Sequence, residues 1–360
     1  FQQFGSSGGT NFGYTSISYS GWNEGAFALN NVTWEKIKKA DVGIDVSLFN
    51  DRLSFTFDYF QENNRDIMVS PSLPYIMGIR FPNFPIGRVK NKGFEFSGSY
   101  GEKIGDFSYE LSGVFTKADN VILEMGEETK KYPYQQRTGK PIDSQWGLVA
   151  LGLFQNETEI ANSPKQTYTS SVRPGDIKYM DVNGDGVIDD FDEVYLGLNA
   201  DPHLQWGAGL KLAWKSIDFN ILFTGQNGGW INLTGESVWE FHNNGTIRQH
   251  HLGRFNPDNP STWETATYPR LTLENKQGNQ HTSTYWRKKT NQARLKHIEL
   301  GYNIPVNWSK EAVNNLRIYI NAYNFLTWQS TNLVDVEATS GHYVQYPIQK
   351  MVNFGLSITF

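Results

Sequence analysis

Residues Val42-Gly-Ile-Asp-Val-Ser-Leu-Phe-Asn-Asp-Arg-Leu-Ser-Phe-Thr-Phe-Asp-Tyr59 decide the fold class. On both sides of Asn50-Asp51 the side chains alternate with a period of two. Val42, Ile44, Val46 and Leu48, then Leu53, Phe55, Phe57 and Tyr59, face one way; Asp45, Ser47, Ser54, Thr56 and Asp58 face the other. That period belongs to a strand with one apolar face. If Asn50-Asp51 is a two-residue turn, Phe49 pairs with Arg52, so Leu48 faces Leu53, Val46 faces Phe55 and Ile44 faces Phe57. A slip of one residue would turn every apolar side chain to the polar face, so pattern and register support each other.

The construction recurs outward from this hairpin. Phe94, Phe96, Gly98 and Tyr100 meet Phe107, Tyr109, Leu111 and Gly113 across the turn Glu102 to Gly105. Ala208, Leu210, Leu212 and Trp214 meet Ile217, Phe219, Ile221 and Phe223 across Lys215-Ser216. Ile298, Leu300 and Tyr302 run toward Pro305, and Leu316, Ile318, Ile320 and Ala322 return; the last strand alternates from Val352 to Phe360. Long polar excursions, about 61–89, 117–205, 226–284 and 329–349, separate the hairpins. Short turns at one end and long loops at the other are the pattern of a transmembrane antiparallel β-barrel of the outer-membrane type. A soluble sandwich has no reason to segregate its loops this way. Parity makes 117–205 one excursion, within which Trp146 to Phe154 is either not a full crossing or the partner of a further strand. Roughly ten crossings result, each near the ~9–11 residues a tilted strand needs.

Composition agrees and excludes. The 360 residues suit one large all-β architecture. Charged residues are 19% and aromatics 14%, an excess that interfacial girdles would absorb. A net charge of -5 supplies no basic field, which argues against nucleic acid as partner. There are no cysteines, hence no disulfides. No run of about 18 apolar residues exists for a membrane helix, and a mean hydropathy of -0.51 says nothing about alternating strands. The opening Phe1-Gln-Gln-Phe4 has neither initiator Met nor leader, so the chain reads as mature or truncated.

The sharpest chemical motif is Asp181-Val-Asn-Gly-Asp-Gly-Val-Ile-Asp-Asp-Phe-Asp192. Oxygen-bearing side chains stand at the first, third, fifth, ninth and twelfth places: Asp181, Asn183, Asp185, Asp189 and Asp192. Gly186 is sixth, and Val187, seventh, offers a backbone carbonyl. Hard oxygen donors at this spacing predict a structural Ca2+ site. The flanks, with Pro174-Gly175 before and Gly197 and Pro202 after, argue against the helices of an EF-hand. The competing reading is a polar surface turn with no ion.

Trp230, Trp239 and Trp263 lie in a polar excursion among Asn232, Glu236, Asn243 and Asn244. Flat aromatic faces beside amides suit a sugar or peptide substrate, and packing of the loop against itself is the plainer alternative. His250-His251, near His242 and Glu240, is read as solvated loop because no metal-ligand spacing is present. Enzyme chemistry lacks its signatures: there is no cysteine nucleophile and no His-Glu-x-x-His, and the Gly-x-Ser-x-Gly match at Gly5-Ser-Ser-Gly-Gly9 sits in a Gly/Ser run without the strand-turn-helix setting of a nucleophile elbow.

Several phrases, in order, resemble the C-terminal barrel portion of SusC-like (SusC/RagA-type) TonB-dependent outer-membrane transporters. They are Thr33-Trp-Glu-Lys36 leading to Asp58-Tyr-Phe60; Gly87-Arg-Val-Lys-Asn-Lys-Gly-Phe-Glu95; Gly175-Asp-Ile-Lys-Tyr-Met-Asp-Val-Asn-Gly-Asp-Gly186; Arg294-Leu-Lys-His-Ile-Glu-Leu-Gly-Tyr-Asn-Ile-Pro305; and Leu316-Arg-Ile-Tyr319 with Asn324-Phe-Leu-Thr327. Asp335-Val-Glu337 departs from the family's frequent Asp-Pro-Glu. The resemblance implies a barrel of about 22 strands with a plugged lumen. Plug and TonB-contacting segment are expected in an N-terminal half outside residues 1–360, without which the strands would leave an open edge. It also implies import of oligosaccharide or oligopeptide nutrients with a SusD-like surface lipoprotein and the TonB complex. A secreted, calcium-stabilised β protein that binds or degrades glycans is the alternative from another class.

Overall fold

The computed structural model describes residues 4–12, 17–24, 29, 32–71, 82–169, 171–199, 201–273, 276–305, 313–337, 346 and 348–359. A hairpin, β1 (Phe4–Phe12) and β2 (Ile17–Glu24), comes first. Four long strands follow: β3 (Lys36–Leu48), β4 (Leu53–Val69), β5 (Phe84–Ile104) and β6 (Phe107–Glu124). The next excursion holds β7 (Ser144–Gly147), β8 (Ala150–Leu153), β9 (Lys165–Gln166), β10 (Ile177–Tyr179), β11 (Val187–Ile188) and β12 (Val194–Leu198). Then come β13 (Leu204–Trp214) and β14 (Ile217–Asn227), the loop strands β15 (Trp230–Asn232) and β16 (Arg287–Lys289), and finally β17 (Gln292–Ile304), β18 (Asn315–Gln329) and β19 (Met351–Thr359).

One nine-stranded sheet carries the architecture, in the order β19-β18-β17-β14-β13-β6-β5-β4-β3. From β6 through β19 neighbouring strands of this sheet run antiparallel. None of β7 to β12 enters it, so the excursion is single, as parity required, and 146–154 forms short strands rather than a crossing. Around Lys215-Ser216 the register is Trp214↔Ile217, Leu212↔Phe219, Leu210↔Ile221 and Ala208↔Phe223, as the turn predicts. Tyr302 likewise meets Ile318 and Leu300 meets Ile320. At the first hairpin, Thr56 donates to Asp45 at 2.6 Å, the cross-strand neighbours implied by Leu48 facing Leu53.

The chain forms two compact units, one from 1–41, 60–92 and 119–142, the other from 42–59, 93–118 and 143–360. In the first, strand continues through polar sequence, held by cross-strand ion pairs Lys36–Asp66 (2.8 Å), Lys39–Glu62 (2.5 Å) and Arg88–Glu124 (3.6 Å). Glu127 fixes the loop after β6 by accepting from the backbone N–H of Arg137 and Thr138 and from the Thr138 hydroxyl. The expected excursion 61–89 is therefore shorter, since β4 reaches Val69 and β5 starts at Phe84. Alternation could not find β4 beyond Phe60 because Gln61 to Asp66 are polar without a break and leave no period. Conversely, the expected excursion 226–284 runs on to Gln292, where β17 begins. Phe360 lies outside the described residues, as does part of the expected loop 329–349.

In the second unit the sheet has two chemically different faces. One presents apolar side chains outward: Val42 is 68% exposed, Leu300 50%, Phe354 82% and Leu356 60%. Water would make such a face an aggregation surface, whereas lipid stabilises it. The Phe57–Phe94–Phe115 ring series, with centroids 6.3 and 5.6 Å apart, crosses three strands of it. Trp214, beside a short turn and with the Lys215 ammonium 5.3 Å from its ring centroid, has the amphipathic character of an interfacial anchor. The opposite face is a polar ladder. Arg317 binds Asp218 through Nε (3.0 Å) and Nη2, and Glu299 at 2.7 Å; Asn321 donates to Glu299 at 3.1 Å, and Asn353 to Asn321 at 3.0 Å. Apolar-out and polar-in is the sidedness of a membrane barrel wall.

Candidate functional site

The long excursions of the second unit build their own core. Leu148, Ile177, Tyr179 and Ile188 from the first meet Ile231, Leu233, Val238, Tyr268 and Trp286 from the second, with Val334 from the third. Polar side chains tie the segments together across long sequence separations. Asp176, 1% exposed, takes Arg270 at 2.6 Å, Asn279 Nδ2 at 2.9 Å and the Arg173 N–H at 2.9 Å. Asn279 also accepts from the Ile177 N–H, and the Tyr179 hydroxyl donates to the Gly278 carbonyl at 2.7 Å. Gln166 bridges Ile177 and Tyr179 with its two amide atoms.

The loop Asp181–Asp192 is seated on this core by Ile188, which is fully buried and paired in parallel with Gln166. Its carboxylates fold the loop around themselves. Asp181 accepts from Gly184 N (2.6 Å) and Gly186 N (2.8 Å), and Asp185 accepts from Val187 N (2.9 Å) and Asn183 Nδ2 (3.0 Å). Gly184 and Gly186 take φ of 77° and 83°, so the chain turns sharply at the fourth and sixth places of the motif. Asp192 has a role that spacing did not predict. It is 0% exposed, and its oxygens accept from Val182 N, Asn183 N and Asp189 N, tying the loop's two ends together. Among the described residues, no three His, Cys, Asp or Glu side chains converge to hold a metal ion. Oxygens of Asp181, Asn183, Asp185 and Asp189 nonetheless stand in one turn with lone pairs beyond those their N–H donors occupy, and hard oxygen is the donor type a calcium ion takes.

The three tryptophans divide. Trp263 stacks on Phe255 at 5.3 Å and donates to the Asn256 carbonyl at 2.8 Å, so it packs its loop. Trp239 packs against the core, with its indole N–H buried and unbonded. Trp230, partly exposed, has the Arg287 guanidinium 5.1 Å and the Lys289 ammonium 5.5 Å from its ring centroid. Arg287 is 5% exposed, and burial pulls its pKa below the ordinary value. Sequence reasoning passed over this arginine; the signal was the unbroken cation run Arg287-Lys-Lys289 after Tyr285-Trp286.

The solvated reading of the histidine pair is corrected. His251 is 0% and Glu240 3% exposed. His251 Nδ1 accepts from the Arg248 N–H at 2.7 Å, which puts the proton on Nε2, facing the Val238 carbonyl at 2.8 Å. The Tyr268 hydroxyl donates to Glu240 at 2.6 Å. Burial, followed by Glu240, pushes the Tyr268 pKa up, and burial holds His251 below the usual histidine range. Local sequence polarity suggested solvent because the residues that cover His251, Val238 and Tyr268, lie 13 and 17 positions away in the chain.

With this geometry in place, comparison with known proteins is decisive for the family. The family described as "TonB dependent receptor-like, beta-barrel" matches residues 2–324. TonB-dependent receptor P26 of Formosa agariphila is 26% identical over 96% of this chain and 36% of its own length. TonB-dependent receptor SusC of Bacteroides thetaiotaomicron is 22% identical over 92% of this chain and 32% of its own. The RagAB peptide transporter structure superposes with TM-score 0.71 at 19% identity, over 100% of this chain and 38% of that one. The chain thus spans little more than a third of the length of the relatives it matches. A secreted glycan-binding or glycan-degrading protein is excluded by that match. The lipid-suited outer face, the polar inner ladder and the family match lead to one assignment: the chain belongs to the TonB-dependent receptor β-barrel family, of SusC/RagA type, integral to the bacterial outer membrane and not an enzyme.

Proposed function

We propose that the chain supplies wall strands and external loops, as the C-terminal barrel portion, to an importer of oligosaccharide or oligopeptide nutrients. The carrying observation is the segregation of structure. Turns such as Lys215-Ser216 close the wall at one end, while the excursions at the other gather into a packed core of their own. A core at the outer mouth can receive substrate and a SusD-like lipoprotein that covers it. Among the described residues the edge strands β3 and β19 each have one neighbour in the sheet, and closing a barrel of about 22 strands would pair both free edges. Energy reaches the substrate through a plug and the TonB complex. RagAB, on 38% of which this chain superposes, is described as a peptide transporter, which supports the oligopeptide class.

Within the outer core, Asp181, Asn183, Asp185, Asp189 and the Val187 carbonyl are the residues that would hold a structural Ca2+, with Asp192 fastening the loop behind them. The ion would neutralise the clustered carboxylates and stiffen the turn. Of the tryptophans, Trp230 is favoured as a substrate contact; Trp239 and Trp263 serve packing.

The test is uptake by cells expressing the full-length transporter, with and without TonB. Accumulation of an oligosaccharide or oligopeptide that requires TonB and co-purification with a surface lipoprotein are expected. Uptake that is equal without TonB would overturn the reading.

A further inference from the structure

The loop strand β16 places three consecutive cations, Arg287, Lys288 and Lys289, opposite Asn232, Ile231 and Trp230 of β15. Strand alternation separates them: Lys288 shares its face with the buried Ile231, while Arg287 and Lys289 share theirs with Asn232 and Trp230. Among the described residues, no carboxylate lies within ion-pair distance of Arg287 or Lys289. For Arg287 this sets it apart from three other well-covered arginines: Arg270 has Asp176 at 2.6 Å, Arg294 has Glu337 at 3.4 Å, and Arg317 has Asp218 and Glu299. Arg287 has only the Leu198 carbonyl on Nη2, and its Nε and Nη1 have no hydrogen-bond partner. Its cross-strand neighbour Asn232 brings no charge, and the Asn232 Oδ1 is itself unpartnered. Gly197 borders the guanidinium without a side chain; a Cβ there would come within 3.7 Å of both Nη atoms.

A buried cation is tolerated when a counter-charge or a full set of hydrogen bonds compensates it. Here the fold supplies neither, and it adds a second cation and a partly exposed indole on the same face. We propose that this face, Trp230 with Arg287 and Lys289, is a contact site for a carboxylate group on the imported ligand. Lys289 meets the carboxylate at the surface, the negative charge there compensates the covered Arg287 guanidinium through space, and the exposed part of the Trp230 ring carries the adjoining apolar face of a sugar ring or peptide side chain. The inference rests on the importer reading and narrows its substrate class to acidic ligands. Uronic-acid oligosaccharides and glutamate-rich peptides share this chemistry.

Calorimetry on the full transporter with its lipoprotein, in detergent, distinguishes the sources. Hexagalacturonate is compared with its methyl ester, and an alternating Glu-Ala peptide with its Gln-Ala counterpart. One acidic probe should bind on the order of tenfold more tightly than its neutral partner at low salt. High salt should shrink that preference, and Lys289→Met should reduce it further. Arg287→Met should abolish it; because loss of a buried arginine also threatens folding, the exposed Lys289→Met carries the test alone. Equal binding of acidic and neutral probes, binding of neither acid, or full preference in Lys289→Met overturns the site. TonB-dependent uptake that persists without any acidic preference would overturn this site only, whereas acidic binding without TonB-dependent uptake would overturn the importer reading and leave the site.

Discussion

The wall and the loop core satisfy the same requirement by opposite means. In the wall, polar groups face one side and pair with near neighbours in the ladder: Asp218, Glu299 and Arg317 stand on three adjacent strands, partly exposed at 22%, 15% and 21% of their side-chain surface. In the loop core, charge is taken out of water altogether and compensated by residues far away in sequence, as with Asp176 and Arg270 at 2% and 13%. Errors in the two regions therefore cost differently. A wall residue can lose a partner and still meet water in the lumen. A core residue cannot.

The largest effect follows from that difference. Asp176→Ala leaves Arg270 and Asn279 without their acceptor inside the core and should destabilise it by about 3–5 kcal/mol, the usual penalty for breaking a buried pair. Hydrogen exchange on the full transporter should show residues 143–199 and 230–290 opening while wall amides stay protected. Protection unchanged in the loops would show that the core does not depend on this pair. On the wall, Phe354→Arg or Leu356→Arg should cost about 2–4 kcal/mol near the bilayer midplane, read from unfolding in lipid vesicles. If both substitutions are silent, that face does not meet lipid.

The same contrast explains what the sequence could disclose. Wall strands are legible because the period of two is local: Val42 to Tyr59 yields strand, turn and register from eighteen consecutive residues. Legibility stops where the strand runs on with both faces polar, as in β4 beyond Phe60, since ion pairs such as Lys36–Asp66 leave no period. The loop core has no period either. His251 looked solvated because its cover, Tyr268 and Val238, is drawn from other segments, and Arg287 was overlooked because a cation's lack of a partner is a property of space. The Asp181–Asp192 turn was legible because one short segment supplies all its oxygens; the inward turn of Asp192 was not, since it depends on Ile188 being drawn into the core.

A smaller effect concerns that turn. If calcium binds the folded loop and not the unfolded chain, saturation at about a hundredfold over its dissociation constant stabilises the loop core by about 2.7 kcal/mol. Adding chelator to the full transporter should lower loop protection in the parent and leave the Asp181→Ala, Asp185→Ala variant unchanged, with assembly of the wall intact in both. Metal binding that survives the double substitution would remove the clamp.

The smallest effect is the pH response of His251. Its folded pKa lies below the ordinary ~6.5 because burial disfavours the cation, with His250 and Arg248 acting in the same direction and the Val238 carbonyl opposing them. The groups around it are the His250 ring at 4.1 Å, the Tyr268 ring at 4.6 Å, Glu240 beyond Tyr268, and Arg248. Protonation would place a second N–H on Nδ1, against the Arg248 N–H that now donates to it. The unfolded loop therefore binds the proton first. Stability is complete above the unfolded value and declines as pH falls below ~6.5, by at most about 1.4 kcal/mol per pH unit until the folded value is reached. Loop exchange rates measured between neutral and mildly acidic pH should rise in the parent and stay flatter in His251→Gln. Equal pH slopes in the two proteins would place the acid sensitivity elsewhere in the core.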